Sequence, residues 1–329
     1  MDKIKTLFGV SSESKDNILM QRKILVNHLS LFIWKLFRTV LIVGLSFVIL
    51  YPVIIKFSTS IKSFSDIYDP AVFIIPKAYT MHNFLRVMEY IDYWKTLLNT
   101  FTFTIICCVL QTASCTMVAY GLARFKFKGK GIIFALVLLT LIVPAQTILM
   151  PLYLQFKSFS LASLFSIVPP AGGVPLLNTY WPFVMMSLTA MGIKNGLFIY
   201  LLRQYFMGMP VILEEAAYID GCGPFWTFIK IMLPGAVPMF ITIFLFSFVW
   251  LWNDYFYTAF LAPSMKIMSI SIVSIGQKIN NVDRDPFNQV TTMMYNNAAM
   301  VLHMVPIIIL YTFTQRYFIQ SIEKSGIVG

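Results

Sequence analysis

The segment PVILEEAAYIDG, residues 210–221, lies between two long apolar stretches of the chain. A proline at the first helical position and a glycine just past the end predict a helix of about eleven residues. At about 100° per residue the apolar side chains share one side, Glu214 and Tyr218 face away, and Glu215 lies at the border. The apolar side consists of Ile212, Leu213, Ala216, Ala217 and Ile219. A helix this short is marginal alone in water, so the segment predicts a short helix that needs a partner surface.

The flanking sequence is that of a membrane protein. Of the 329 residues 58% are hydrophobic and 12% are charged, against roughly 25% charged in soluble domains. Six apolar stretches reach the roughly 20 residues that a bilayer-spanning helix needs. They lie near residues 33–56, 97–122, 132–154, 180–206, 235–260 and 298–319. The sequence therefore predicts an all-α membrane protein with six transmembrane helices and excludes a soluble enzyme.

The distribution of basic residues predicts the orientation in the bilayer. The loop RFKFKGK, residues 124–130, carries four cations and no acid, and short loops of this kind lie in the cytoplasm. With six spans, both termini and residues 210–221 are then cytoplasmic, and segments 57–96, 155–179 and 261–297 are external. The predicted parts are a tail (1–32), a transmembrane domain (33–319) containing the loop 207–234, and a second tail (320–329). The excess of basic residues in the predicted cytoplasmic segments accounts for the net charge of +11 without a nucleic-acid partner.

Prolines fall inside several of the predicted spans, at Pro52, Pro144, Pro151, Pro234 and Pro238. Each removes a backbone hydrogen bond and frees a carbonyl that lipid cannot satisfy. The spacing predicts kinked helices, arranged around an aqueous path or accommodated by packing alone.

No feature of the sequence predicts catalysis, a metal or a cofactor. The phosphate-binding pattern G-x-x-x-x-G-K-[ST] is absent, and His28, His82 and His303 have no zinc-type spacing. Three of the four cysteines lie in one apolar segment and read as small buried hydrophobic residues. The chain is thus predicted not to be an enzyme, and energy for any transport must come from another subunit.

The loop 207–234 resembles the EAA loop of binding-protein-dependent ABC importer permeases. The matching residues, in the family's spacing, are Glu215, Ala216, Ala217, Gly221, Ile231, Leu233 and Pro234. The resemblance implies a type I ABC importer permease fold in which residues 210–221 form a cytoplasmic coupling helix that docks on an ATPase subunit. It also implies that the glutamate pairs with a basic residue of that subunit. The predicted ATPase-coupling residues are Glu214, Glu215, Ala216, Ala217, Asp220, Gly221, Ile231, Leu233 and Pro234.

Further motifs are similar to the carbohydrate branch of that family, in particular to the second permease of maltose-type importers. They are Ser60-Ile61-Lys62, the stretch 80–84 (TMHNF), the stretch 119–124 (AYGLAR), Pro144-Ala145-Gln146 and Trp252-Asn253. The resemblance implies sugar or oligosaccharide import across a bacterial cell membrane. It also implies a second homologous permease, two ABC ATPase subunits and an extracellular sugar-binding protein as partners. The first thirty residues have no counterpart in the family, and the tail 325–329 lacks the lysine commonly found before the last glycine.

Candidate substrate-path residues are polar groups at membrane depth. Gln146, Asn253 and Asp254 are candidates because such groups usually face a cavity or another helix. Trp252 is a candidate because sugars are held by aromatic faces, although an interfacial aromatic belt explains it equally well. For Lys194 a position in the path, a pairing role and snorkelling all remain open.

Two other functions compete with the sugar importer. A self-sufficient ion-coupled transporter would need ionisable groups inside the membrane, and Asp254 is almost alone there. An ABC importer permease for a non-sugar solute fits the coupling loop equally well.

Overall fold

The computed structural model describes residues 2–160, 172–283 and 288–326, and these ranges contain helices and no β-strand. The helices are α1 (Asp2–Ile61), α2 (Phe64–Tyr68), α3 (His82–Tyr90), α4 (Tyr93–Arg124), α5 (Lys130–Ile142), α6 (Ala145–Lys157), α7 (Trp181–Leu188), α8 (Asn195–Gly208), α9 (Ile212–Ile219), α10 (Pro224–Thr227), a π-helix (Phe228–Met232), α11 (Leu233–Gly235), α12 (Val237–Asn253), α13 (Phe256–Leu261), α14 (Met268–Ser271), α15 (Ile275–Asp283) and α16 (Asn288–Gly326). Parts of the predicted external segments 155–179 and 261–297, and the last three residues of the C-terminal tail, lie outside these ranges.

Three described helices are long and apolar enough to cross a membrane alone. They are Val26–Ile61 of α1, all of α4, and Gln289–Arg316 of α16. Three bent pairs bring the number of spans to as many as six: α5 with α6 at 103°, α8 with α9 at 70°, and Pro224–Gly235 with α12 at 75°. The prediction of an all-α membrane protein is confirmed, and so is the kinking predicted from Pro144 and from the Pro234–Pro238 pair.

The predicted boundary between a polar tail and the first span is not visible in the backbone. Helix α1 runs from Asp2 to Ile61 and passes through position 32 and through Pro52 without a break. Residues 2–32 contain no proline and one glycine, Gly9, so nothing in their sequence forces a helix to end. The apolar side chains of α1 from Val26 onward are largely exposed, and the helix packs within the chain mainly against α16.

Helix α4 is the centre of the bundle and packs against α7, α8 and α12. Its side chains enter all three apolar clusters, the third through Tyr93 at its first turn. Phe103, Cys107 and Cys108 lie with Phe183, Phe248 and Trp252, while Cys115, Ala119 and Tyr120 lie with Phe198, Phe206 and Met232. These three cysteines are fully buried, as predicted for small hydrophobic residues.

The predicted fourth span is two helices, α7 and α8, separated by residues 189–194. Polar side chains of α4 satisfy the backbone that this break frees. Gln111 Nε2 donates to the Ile193 carbonyl at 2.6 Å, and Ser114 Oγ donates to the Ser187 carbonyl at 2.6 Å. Gln111 also bonds to Asn195, and its Oε1 accepts from Ser247 Oγ at 2.9 Å. Non-helical backbone at membrane depth is tolerated where other parts of the protein satisfy its hydrogen bonds, and the Gln111 side chain does so here.

The motif residues near the C-terminal end of α1 hold the neighbouring loops together. The Asn83 amide is buried and donates to the carbonyls of Ser60 (2.9 Å) and Lys62 (3.3 Å). Lys62 Nζ donates to the carbonyl of Phe73 at 2.8 Å, and the Asp66 carboxylate accepts the backbone N–H groups of Lys77 and Ala78, both at 2.8 Å. These residues therefore have a structural role in tying α1 to α3.

Replacing Asn83 by alanine leaves two buried carbonyls without their donor, so we expect a loss of about 1–3 kcal/mol in stability. The measurement is the thermal unfolding midpoint of the purified protein in detergent. His82→Ala, at the exposed neighbouring position, is the control and should change stability by less than about 0.5 kcal/mol. Equal midpoints for the two variants would show that the amide does not secure this end of the fold.

Candidate coupling site and membrane cavity

The predicted short helix forms as α9, over eight residues rather than about eleven. It begins at Ile212 because the chain enters through a tight turn, in which the Leu213 N–H bonds to the Pro210 carbonyl at 3.3 Å. Pro210 therefore precedes the helix instead of opening it. The glycine prediction is confirmed: Gly221 has φ +81°, the Cys222 N–H bonds to the Ala217 carbonyl, and the Gly221 N–H bonds to the Tyr218 carbonyl. This is a Schellman motif, which requires the left-handed conformation that glycine adopts without strain.

Helix α9 presents most of its apolar side away from the rest of the chain. Ile212 is 68% exposed and Ile219 is 86% exposed, with Leu213 and Ala216 exposed beside them. Ala217 is the apolar residue that packs inward. Glu215 is exposed at the edge of the apolar side. We call the set Ile212, Leu213, Glu215, Ala216 and Ile219 the docking face.

Glu214 points into the protein. It is 6% exposed, and its Oε1 accepts from the Tyr120 hydroxyl at 3.0 Å and lies 3.4 Å from Arg124 Nε. Both partners belong to the last turns of α4. The ATPase-coupling role expected for Glu214 stays a prediction, and in this structure its carboxylate is buried within the chain, unlike that of Glu215. The helical period places Glu214 opposite the apolar side of α9, but it does not show which part of the chain covers Glu214.

The second half of the loop returns the chain to the bundle. Its residues form α10, the π-helix and α11 before α12 begins at Val237. Ile231 and Leu233 are half-buried, Pro234 and Asp220 are exposed, and Met232 between the motif residues is fully buried. Phe225 and Trp226 are more than half exposed, and Lys230 Nζ lies 5.0 Å from the centre of the Trp226 ring. The loop therefore adds exposed aromatic surface near α9.

A cavity of about 400 Å³ lies where the predicted third and fourth spans are broken. Helices α5 and α6, residues 190–196 and Tyr257 line it, and the polar side chains on its wall are Thr140, Lys194, Asn195 and Tyr257. Lys194 has φ +63°, immediately before α8, and its Nζ lies 6.0 Å from the centre of the Trp250 ring. A second cavity of about 450 Å³ between α4, α12 and α16 is almost wholly apolar.

The four predicted path residues are not brought together around the 400 Å³ cavity. Trp252 has no exposed surface, and its indole N–H donates to the His303 carbonyl at 3.3 Å, so in this conformation its ring belongs to the core. Asn253 contacts His303 Nε2 at 3.2 Å. The Asp254 carboxylate caps α13 by accepting from the N–H groups of Tyr257 and Thr258. Gln146 is exposed next to the break between α5 and α6.

Sequence reasoning left Lys194 undecided and missed Asn195 and Thr140. The available signal was the run Gly192-Ile193-Lys194-Asn195, a polar interruption within an apolar stretch. The described residues contain no group of three or more histidine, cysteine or acidic side chains that could hold a metal ion.

Comparison with known families identifies the chain. The family described as "binding-protein-dependent transport system inner membrane component" matches residues 113–324, from the middle of α4 to the end of α16. The chain belongs to this family. It is therefore a multi-pass membrane permease that works with other components of an ABC transport system.

Named relatives cover most of the chain. A probable ABC transporter permease of Bacillus subtilis is 28% identical over 85% of this chain and 84% of its own length. The arabinooligosaccharides transport system permease of Halalkalibacterium halodurans is 27% identical over 87% of this chain and 93% of its own length. The melibiose/raffinose/stachyose import permease of Bacillus subtilis is 27% identical over 84% of this chain and 91% of its own length.

A solved structure supports the fold. A chain of a bacterial ABC transporter involved in the import of the acidic polysaccharide alginate superposes with a TM-score of 0.67. The match covers 87% of this chain and 96% of that chain at 24% identity. The predicted ABC importer permease fold is thus confirmed.

Proposed function

We propose that this chain is one of two permease subunits of an ATP-driven importer for a sugar or oligosaccharide, with no catalytic group of its own. The observation that carries the proposal is the docking face on α9, an exposed apolar surface with a carboxylate at its edge. Relatives named for oligosaccharide uptake, each matched along most of its length, support a carbohydrate solute.

The docking face supports coupling to an ATPase through residues 207–234. Burial of apolar side chains such as Ile212 and Ile219 drives association, and Glu215 beside them adds selectivity for a basic partner. The Schellman bonds at Gly221 fix the end of α9, so the helix can move as a rigid unit. Two ATPase subunits, one per permease, would then convert nucleotide-driven closure into movement of the helices.

The arrangement of the inner end supports the proposed topology. Arg124, at the start of the basic loop 124–130, contacts Glu214 of α9, so the two loops lie at the same end of the bundle. Both are then cytoplasmic, as are the tails 1–32 and 320–329, and the domain 33–319 lies in the bilayer between them. An extracellular sugar-binding protein would deliver solute from the other side. Gln146, Asn253 and Asp254 remain proposed path residues, together with the cavity at Lys194.

The test is reconstitution of the chain with its partner permease, its ATPase and its binding protein in proteoliposomes. We expect accumulation of labelled arabino-oligosaccharide or raffinose to require ATP and to stop when the ATPase is omitted. Proton or sodium gradients without ATP should drive no uptake. Gradient-driven uptake by this chain alone would refute the proposal, and ATP-driven uptake restricted to non-sugar solutes would refute its carbohydrate part.

A further inference from the structure

Glu214 is the residue of the loop whose position the ATPase contact does not explain. Its side chain is 8% exposed and that of Arg124 is 9% exposed, so two charges are buried where α9 meets α4. Burying charges is costly unless they pair, and a helix that only needed to attach to the bundle could do so with apolar contacts. The ionic contact therefore calls for an explanation other than attachment.

The surroundings of this pair connect four elements. The Tyr120 hydroxyl reaches Glu214 Oε1, while the Tyr120 ring packs 5.4 Å from Phe206 of α8 and 4.5 Å from Phe228 of the π-helix, measured between ring centres. Arg124 Nη2 donates to the Met209 carbonyl at 2.7 Å, at the end of α8. A displacement of α9 therefore acts directly on α4 and α8, and α8 begins at the 400 Å³ cavity.

The contact is not at its tightest. Arg124 Nε is buried and makes no hydrogen bond, because its 3.4 Å approach to Glu214 Oε1 lacks hydrogen-bond geometry. A buried donor left unpaired is unfavourable and needs an explanation. The ionic contact is therefore looser than a fully hydrogen-bonded ion pair.

From these contacts we propose that Glu214, Arg124 and Tyr120 form a transmission joint, which carries movement of α9 into α4 and α8. The inference rests on the proposed coupling to an ATPase and assigns Glu214 a role distinct from that of Glu215. In this proposal Glu215 contacts the ATPase subunit, and Glu214 transmits the movement of α9 to α4 and α8 within the permease. All three are positioning residues, since none of them touches solute or nucleotide.

The experiment measures transmission without knowledge of the solute. In a Cys222→Ser background, Lys194→Cys places a thiol at the cavity wall, while the other three cysteines are fully buried. The labelling rate with N-ethylmaleimide is measured in the reconstituted assembly with and without ATP, together with ATP hydrolysis. Absence of any ATP effect with the joint intact would count against the proposed function itself, whereas the joint is tested by its variants.

We expect Glu214→Gln and Tyr120→Phe to reduce the ATP-dependent change in labelling at least about fivefold while hydrolysis stays within about twofold of the parent. The double variant Glu214→Gln/Arg124→Gln should be no worse than Glu214→Gln, because the pair acts as one unit. Tyr93→Phe is the matched control: it removes a hydroxyl that bonds to the Leu302 carbonyl at the other end of α4. It should leave the response unchanged.

Two results would overturn the proposal. One is an ATP response in Tyr120→Phe equal to that in Tyr93→Phe. The other is loss of hydrolysis together with the response, which would assign these residues to docking. If Glu214→Gln fails to assemble, Tyr120→Phe decides alone, since it deletes one oxygen and keeps the packed ring.

Discussion

Glu215→Lys is expected to lower ATP-driven uptake by at least about a hundredfold, because it reverses a charge at the edge of the surface that contacts the ATPase. Glu215 is exposed and, unlike Glu214, takes part in no ion pair among the described residues, so the permease itself should fold and insert normally. The defect should therefore be one of assembly. Copurification of the ATPase with the tagged permease, measured in parallel with uptake, distinguishes a defect in assembly from a defect in transport by the assembled complex.

Glu89→Lys is the matched control for this charge reversal. Glu89 is a largely exposed residue of α3 whose one described ion pair is with Arg86, and surface pairs of this kind are worth about 0–1 kcal/mol. Uptake by this variant should stay close to that of the parent chain. If Glu215→Lys copurified with the ATPase and transported as well as Glu89→Lys, the docking face would not be the coupling surface.

The class of protein and the main features of the loop 207–234 could be predicted from sequence because they depend on composition and local spacing. Twenty-residue apolar stretches require a bilayer whatever their detailed packing, and Gly221 ends a helix through backbone bonds to residues only a few positions away. Pro144 likewise predicts the bend between α5 and α6, because proline lacks the backbone N–H that would bond to a carbonyl of the preceding turn. These signals are local, and the structure confirms them.

The remaining features depend on contacts between distant segments. The break between α7 and α8 contains no proline, and it is satisfied by Gln111 from another helix, which hydropathy counts as one polar residue inside a span. Glu214 and Glu215 are neighbours of the same type, and their opposite environments follow from where Tyr120 and Arg124 lie. The four predicted path residues did not meet at one cavity because membrane depth alone does not specify which side of a helix faces a neighbour.

Gly196→Leu is expected to cost about 3 kcal/mol, the upper end of the usual range for overpacking, and to lower the accumulation of the assembled transporter sharply, because the position has no room for a side chain. A Cβ there would lie 2.9 Å from the Val137 carbonyl oxygen and overlap Thr140 Oγ1, both on α5. Small residues at such crossings let membrane helices approach closely. Separating α5 from α8 would also open the wall of the 400 Å³ cavity, to which Thr140 and Gly196 both contribute.

Gly44→Leu distinguishes this packing effect from the general consequences of replacing a helical glycine. Gly44 lies within α1, is exposed, and a Cβ there would meet nothing within 4 Å. The amount of assembled transporter and its thermal unfolding midpoint should match the parent for Gly44→Leu and fall sharply for Gly196→Leu. Equal behaviour would mean that α5 and α8 do not approach this closely in the membrane, and the cavity between them would then need a different wall.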